Sequence, residues 1–245
     1  MNVYLNEITG MADALVTLYF SKRTWTREKE VQIRKDWKTY TDWCGNIYDK
    51  DLCNGEREAM ERTQKNLGSF CKYAWLHTTM LDFVTLSVTV EGIHRAGQDD
   101  WDAHAKRFDN RIIRSSTRLA DFSEGEMSDY YKDKIIPLGV ALEYLGIETP
   151  EEFEKNDTVY VRSTNGYIQK DLENNRDVKR GLYMESIPSN FIFKCNMAQW
   201  AHVYKLRNEN GTANPEVKQL AEAIQDQIEK QMPWFNREFL AKVQI

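Results

Sequence analysis

Four arginines lie within twelve residues, at positions Arg107, Arg111, Arg114 and Arg118, and only Asp109 opposes their charge within that stretch. The planar guanidinium group matches phosphate oxygens with two parallel hydrogen bonds, so such a cluster is a natural anion site. The same spacing would also place all four side chains on one face of a helix, as a solvated surface. The hydroxyl-rich residues between the last two arginines form helices poorly and donate hydrogen bonds, which favours the anion site.

Histidine and nucleophile patterns give little further chemistry. The sequence holds four histidines, His77, His94, His104 and His202, and each taken singly is more often structural than functional. No H-x-x-x-H or H-E-x-x-H pair is present, so we expect no metal site. No serine or cysteine stands in a recognised nucleophile setting, and no glycine-rich phosphate loop occurs. A nucleotide, if bound, must therefore be held by side chains.

Composition and charge exclude several classes of protein. The net charge is −5 and the sequence pI is about 5.5, so the overall field repels nucleic acid and anionic membranes, and we expect neither as a partner. We expect cytoplasmic localisation, because the first residues do not resemble a signal peptide and no apolar run approaches a membrane span. The cysteines are irregularly spaced without a C-x-x-C pair, and we expect reduced, structural thiols at Cys44, Cys53, Cys71 and Cys195.

The elements that must position these residues mix strands and helices. In the first third of the chain, the pattern predicts a strand over Met1–Ile8, a helix over Met11–Trp37 and a helix over Glu56–Trp75. The turn-forming residues between Thr39 and Arg57 predict a loop, which is a candidate insertion at about 39–57. The sequence therefore predicts one α/β domain over residues 1–245.

The middle of the chain carries the clearest strand. Apolar and polar residues alternate over Asp82–Glu91, which is the period of a sheet with one apolar face, and Gly92 should end that strand. A helix should follow over His94–Arg107, and the β-branched residues favour extended or irregular chain over Arg111–Leu119.

Three more helices are predicted in the second half. Thr149-Pro150 and Asn214-Pro215 each combine a capping side chain with proline at the first helical position, so each should begin a helix. The segment Asn196–Arg207 also reads as a helix with an apolar stripe, and its two ends fall on one face about 16 Å apart. One side of this helix could therefore contact two parts of a long ligand.

Three separated segments resemble the flavin-dependent thymidylate synthases, in matching order. The first runs from His77 through Gly92–Ala96 and resembles the block H-x-S-x-x-E-H followed by a strand and an S-R-A helix start. Asp82 stands for the glutamate, Phe83 for the second histidine and His94 for the serine. The spacing of the block is kept throughout.

The second segment resembles the family's R-H-R and N-E-x-S-x-R signatures less closely. His104 takes the central position, but Ala103 and Ala105 replace the flanking arginines. Asn110 fills the asparagine position, and the S-x-R triplet follows as residues 116–118 after about three extra residues. The other nearby basic residues could restore the lost charge.

The third segment is the most specific of the three. It reproduces the family spacing R-x15-N-x5-[HN]-x4-R with Arg180, Asn196, His202 and Arg207. The residues 212–218 then resemble A-Q-x-E-I-R, with Asn214 for glutamine. The chain departs from the family at Ala198, where an arginine is usual, and by one inserted residue.

This resemblance implies a mixed α/β subunit, with a central sheet flanked by helices, that forms a homotetramer and binds FAD and dUMP where subunits meet. NADPH and methylenetetrahydrofolate would be co-substrates, and no protein nucleophile would be needed because the flavin carries the chemistry. The residues implied near the flavin are His77, Thr79, Asp82, His104, Asn196 and His202. The residues implied to hold dUMP are Ser116, Arg118, Arg180 and Arg207.

The implied activity is methylation of dUMP to dTMP or a closely related C5 modification of a pyrimidine nucleotide. Two other functions stay open. A non-catalytic nucleotide- or flavin-binding protein would keep the fold and Arg180, Asn196 and Arg207 without turnover. A structural or interaction protein would use its arginines for ion pairs between subunits.

Overall fold

The computed structural model of the protein describes residues 1–45, 52–102, 111–116, 127–163, 165–208 and 214–243. The strands are β1 Asn2–Thr9, β2 Thr85–His94, β3 Arg111–Arg114, β4 Glu152–Lys155, β5 Thr158–Ser163, β6 Gly166–Gln169 and β7 Pro188–Asn196. The α-helices are α1 Met11–Ser21, α2 Arg27–Gly45, α3 Asn54–Tyr73, α4 Arg95–Asp102, α5 Leu138–Tyr144, α6 Arg176–Lys179, α7 Met197–Asn208, α8 Pro215–Gln231 and α9 Arg237–Lys242. Short 3₁₀ helices span Thr78–Phe83, Lys170–Leu172 and Arg180–Leu182. The mixed fold predicted from the sequence is confirmed.

A four-stranded antiparallel sheet in the order β1-β2-β7-β3 forms the centre of the molecule. The predicted alternation of β2 is confirmed, since its apolar residues Leu86, Val88 and Val90 are fully buried. β7 alternates in the same way, with every second residue from Ser189 to Cys195 buried. These two central strands give the sheet one apolar face, on which helices pack.

Helices α7 and α8 cover the sheet and are joined by a buried polar contact. Trp200 on α7 is fully buried, and its indole N–H donates to Gln225 Oε1 on α8 at 2.8 Å. Gln225 in turn donates to the carbonyl of Phe235 at 2.8 Å, so this amide is satisfied inside the core. The predicted apolar stripe of α7 is confirmed as core packing, and Asn214 caps α8 by accepting from the backbone N–H of Glu216 at 3.0 Å.

The N-terminal helices differ from the prediction. The single helix predicted over Met11–Trp37 is wrong: Arg23 is in the left-handed region (φ 54°), and Thr26 accepts from the N–H of Lys29 at 3.3 Å as the cap of a new helix. The loop predicted over Thr39–Arg57 is also wrong at both ends, because α2 continues to Gly45 and α3 begins at Asn54. The assignments of this segment as an insertion and of residues 1–245 as one domain stay predictions.

One predicted strand end and one predicted helix are wrong. Gly92 (φ +76°) lies in a bulge of β2, and the strand continues beyond it to His94. The helix predicted at Thr149-Pro150 is instead a hairpin of β4 and β5. Its turn residues Asn156 and Asp157 both have positive φ, as a tight hairpin turn requires, and the pairing of these neighbouring strands overrides the helix-start signal. No helix in the described ranges is long and apolar enough to cross a membrane.

Candidate functional site

The 3₁₀ helix Thr78–Phe83 presents three of the predicted residues on an exposed surface. Met80 and Leu81 are buried and anchor this short helix in the core. His77, Thr79 and Asp82 are exposed beside them. The helix can lie this close to the β1–α1 turn because Gly10 has no Cβ, which would stand 1.8 Å from the carbonyl oxygen of Phe83.

This exposed surface mixes polar and apolar character. Phe83, which stands where the resemblance expects a histidine, is 51% exposed, and Leu76 is 49% exposed. The protein around the Asp82 carboxyl displaces water and raises the pKa of that group. An exposed aromatic ring beside an imidazole, a hydroxyl and a carboxyl suits a flat ligand with polar edges.

Asn196 lies next to the 3₁₀ helix at the end of β7. It pairs with Thr85 in the sheet, and the following N–H of Met197 donates to the carbonyl of Val84 at 2.8 Å. Asn196 Oδ1 accepts from the N–H of Gln199 at 2.8 Å, while Gln199 Oε1 accepts from the N–H of Asn196 at 2.9 Å. This reciprocal capping box starts α7, so Asn196 has a structural role whatever else it binds.

The remaining residues of α7 lead away from that surface. His202 is half-buried, one and a half turns along the helix. Arg207 lies at the far end and donates through Nη2 to the carbonyl oxygen of Asp100 on α4 at 2.6 Å. Burial lowers the pKa of the Arg207 guanidinium, because the charged form loses hydration.

The described residues predicted to hold dUMP gather at the opposite end of the sheet. Ser116 follows β3, where the N–H of Ser115 donates to the carbonyl of Asn190 near the start of β7 at 2.9 Å. Arg180 begins a 3₁₀ helix, and its neighbour Gly181 lines a cavity of about 300 Å³. The lining also includes Arg95, Asp99 and residues 183–185 and 187. The side chain of Arg180 and the whole of His104 and Arg118 lie outside the described residues.

The acidic residues of helix α4 form ion pairs with two arginines. Arg114 Nη1 contacts Asp99 at 2.6 Å and Asp102 at 2.8 Å, and Arg95 lies 3.7 Å from Asp99. Because Arg111–Arg114 forms strand β3, the helical-face interpretation of the arginine cluster is wrong there. In this structure Arg114 is neutralised by carboxylates, so an anion at this position would have to displace them.

Sequence reasoning did not find a buried pair that joins β2 to α8. His94 and Glu216 are 2% and 1% exposed, and the His94 Nδ1 atom is hydrogen-bonded to Glu216 Oε2. The backbone N–H of His94 donates to the same oxygen at 3.1 Å, and the Ser128 hydroxyl donates to Oε1 at 3.4 Å. The carboxylate also lies in the first turn of α8, where the helix dipole favours a negative charge.

The contacts of the second ring nitrogen identify the state of His94. Asn214 uses its oxygen to cap α8, so its amide nitrogen faces His94 Nε2 at 3.2 Å as a donor. The Tyr131 hydroxyl lies 3.4 Å from the same nitrogen. Nε2 is therefore an acceptor and the imidazole is neutral, which agrees with burial lowering the pKa of His94. The sequence signal was the glutamate of the A-Q-x-E-I-R resemblance, whose partner is far away in the chain.

Two groups of predicted residues thus lie at opposite ends of one sheet. His77, Thr79, Asp82 and Asn196 lie at the Asn196 end of β7. Ser116, Arg180 and Arg207 lie at the His94 end, where β2 leads into α4. β7 has nine residues, so its ends are about 26 Å apart. One chain does not bring the two groups into contact.

Comparison with known proteins gives one family and one fold. The family model described as thymidylate synthase complementing protein matches residues 24–234. A search of curated proteins finds no match. Among solved structures, the flavin-dependent thymidylate synthase ThyX from Helicobacter pylori, complexed with FAD and dUMP, aligns with a TM-score of 0.54 at 14% identity, covering 97% of this chain and 99% of that one. A second ThyX structure from the same organism, also with FAD and dUMP, gives 0.51 at 15% identity, covering 98% and 99%.

Proposed function

The chain belongs to the thymidylate synthase complementing protein family, and from this membership we propose that it is a flavin-dependent enzyme that methylates dUMP to dTMP, or carries out a closely related C5 modification of a pyrimidine nucleotide. Methylenetetrahydrofolate and NADPH are its co-substrates. The observation that carries the proposal is the exposed surface of the 3₁₀ helix Thr78–Phe83 beside Asn196, because its side chains match the chemistry of a flavin.

The residues at the Asn196 end fit FAD. An isoalloxazine ring has two apolar faces and a polar edge, and Phe83 offers an exposed apolar contact while His77 and Thr79 offer hydrogen bonds. His202 and His104 complete the proposed flavin-binding set, together with Asp82 and Asn196. When bound, the flavin supplies the electron transfer and one-carbon chemistry. The residues of this chain bind and orient the reactants, and no residue acts as a nucleophile.

The residues at the His94 end fit an anionic nucleotide. Arg207 and Ser116 supply a guanidinium and a hydroxyl donor for the phosphate or the pyrimidine carbonyls. Arg180 and Arg118 complete the proposed nucleotide-binding set from the resemblance. Arg207 is already fixed against the carbonyl of Asp100, so its guanidinium has a defined position at this end of the sheet. A residue held in this way loses little freedom on binding, which favours affinity.

The separation of the two groups supports assembly from several copies. With about 26 Å between the ends of β7, a flavin at one end and a nucleotide at the other cannot react within one chain. A second copy that places its Asn196 end against the His94 end of the first would complete the site. The protein is accordingly proposed to work as a homotetramer, with each site shared between subunits.

The proposal is tested with flavin binding and turnover. The purified full-length protein should show the visible absorbance of a bound flavin, as isolated or after addition of FAD and removal of the excess. It should then oxidise NADPH when dUMP and methylenetetrahydrofolate are supplied. Absence of flavin under both conditions would refute the proposal.

A substitution at the nucleotide end tests the role of Arg207. Arg207→Ala should weaken dUMP binding by about 1.5–3 kcal/mol, because a charge-assisted hydrogen bond is lost. Arg34→Ala removes an arginine that pairs with Asp13 and Glu30 on the N-terminal helices, and it should leave dUMP affinity unchanged. The midpoint of thermal unfolding without ligand separates a loss of binding from a loss of fold. Equal dUMP affinity in Arg207→Ala and wild type would remove Arg207 from the site.

A second function is favoured by one feature of the sequence and one of the His94 end. Ala103 and Ala105 replace the two signature arginines, and Arg114 is neutralised by Asp99 and Asp102. A protein with these changes could bind a nucleotide or flavin without turnover. It would be stabilised by dUMP or FAD in proportion to ligand concentration over the dissociation constant, yet would not oxidise NADPH.

A further inference from the structure

A groove between α1, α2 and α3 carries an unusual concentration of positive charge for an acidic protein. It encloses about 410 Å³, which lies in the range of small-molecule sites. Its lining includes Tyr19, Lys22, Lys29, Asp36, Arg62 and Lys65. None of these residues belongs to the proposed flavin or nucleotide sets.

The one carboxylate in the groove is neutralised within the fold. Asp36 is 3% exposed, and its two oxygens accept from Arg62 Nε at 2.8 Å and Nη2 at 2.9 Å. Gln32 donates to the same carboxylate at 2.7 Å. Asp36 therefore fixes the Arg62 guanidinium at the wall and leaves little negative charge to repel an anion.

The three lysines that line the groove have no such partner. Among the residues that the structure describes, none of Lys22, Lys29 and Lys65 has a carboxylate within 4.0 Å. Lys29 donates instead to the carbonyl of Thr24 at 2.8 Å. Cations that line one groove without a carboxylate partner give it a positive potential, which attracts an anion.

The nearby acidic residues are engaged elsewhere. Glu30 contacts Arg34 and Arg27, each at 3.0 Å, and Asp13 contacts Arg34 at 2.7 Å. The arginines thus pair with Glu30 and Asp13, while the lysines that line the groove have no carboxylate within 4.0 Å among the described residues.

The walls of the groove suit an organic group as well as a phosphate. Leu18 and Ile33 are buried and provide an apolar floor. The Tyr19 ring is held by a hydrogen bond from its hydroxyl to Asn66 Oδ1 at 2.8 Å, and Lys29 Nζ lies 5.6 Å from the ring centroid. A flat ring can stack on a fixed tyrosine while its charged tail meets the lysines.

We propose that this groove is a second ligand site, which binds a polyphosphorylated organic anion of nucleotide size. A di- or triphosphate matches several converging cations better than a single phosphate does, because each lysine can meet a separate oxygen. The organic part lies against Tyr19 and the apolar floor. Since the groove and the proposed active site share no described residue, ligand binding at one is separable from binding at the other.

The test uses the full-length protein and isothermal titration calorimetry with two probes, inorganic tripolyphosphate and ATP. Both should bind, and ATP should bind more tightly because Tyr19 adds a stacking contact. Lys29→Glu and Lys65→Glu should each weaken ATP binding by about tenfold or more. The control Lys35→Glu makes the same charge change on α2 outside the groove and should have little effect. Affinity should also fall between about 50 mM and 200 mM salt, because exposed charges are screened.

Several outcomes would overturn the proposal. One is the lack of ATP binding up to millimolar concentration, and another is equal ATP affinity in Lys65→Glu and wild type. Equal affinity for tripolyphosphate and ATP would mean that the groove binds polyphosphate alone and that Tyr19 makes no contact with an organic group. Protection of Lys29 and Lys65 from amine labelling in an oligomer, without ATP binding, would mean that a second copy covers the groove. Titration with dUMP should be unchanged in both variants, so failure here is distinguishable from failure of the proposed activity.

Discussion

Replacement of Glu216 by leucine should destabilise the fold strongly without touching the proposed ligands. The carboxylate accepts from both the backbone N–H and the Nδ1–H of His94, and all of these groups are buried. Leucine leaves three buried donors without this acceptor, the two of His94 and the Ser128 hydroxyl, and each costs about 1–3 kcal/mol, so the free energy of unfolding should fall by about 3 kcal/mol or more. That is a large part of the total stability of a typical domain.

Glu216→Gln provides the matched comparison. Its amide keeps one oxygen as an acceptor for His94, and its NH2 group can donate to the Ser128 hydroxyl in place of the acceptor that is lost, so the cost should be about 1 kcal/mol. Asp226→Asn, on the exposed side of the same helix, should change stability by less than about 0.5 kcal/mol. Urea unfolding followed by tryptophan fluorescence at about pH 8, where His94 is neutral, measures all three. A cost below about 1 kcal/mol for Glu216→Leu would refute the buried-pair reasoning.

Three further predictions concern the same region and the thiols. Burial lowers the pKa of His94, so in the pH range below about 6.5 the unfolded chain binds a proton at this residue and the folded chain does not. The free energy of unfolding should therefore fall as the pH drops below about 6.5, and it should fall less in His94→Asn. The slopes of unfolding free energy against pH check this. Gly97→Ala places a Cβ 2.5 Å from the His94 ring and should lower the free energy of unfolding by about 1–3 kcal/mol. The same substitution should cost less in a His94→Ser background, and thermal unfolding of the single and double variants measures the difference. Iodoacetamide should label exposed Cys53 in the native protein, whereas Cys195, whose pKa is raised by complete burial, should react only after unfolding, as peptide mass spectrometry would show.

Local signals in the sequence predicted the elements with short-range causes. The alternation in β2 needs only neighbouring residues, and it was confirmed. Asn214-Pro215 carries its cap and its first helical residue together, and it begins α8 as expected. The stripe on α7 repeats at helical spacing and is buried. In each case the residues that cause the structure lie within one or two turns of each other.

The errors arose where the pairing of strands outweighed a helix signal or was not recognised. Thr149-Pro150 resembles a helix start, but β4 gains a full ladder of hydrogen bonds by pairing with β5 across the Asn156-Asp157 turn. Strand β7 was not predicted, although Phe191, Phe193 and Cys195 alternate as a strand requires. Its importance is visible only in the sheet, where it lies between β2 and β3.

The sequence by itself determined the mixed fold class, the main helices of the second half and the residue types that resemble a flavin- and nucleotide-binding enzyme. It could not determine which of those residues lie together, because side chains far apart in the chain meet only through packing. Tertiary structure alone decided that Arg114 is held by the carboxylates of α4 and that His94 is joined to Glu216. It also decided that His77, Thr79, Asp82 and Asn196 lie at the opposite end of the sheet from Ser116 and Arg207, since the length and register of β7 fix their separation.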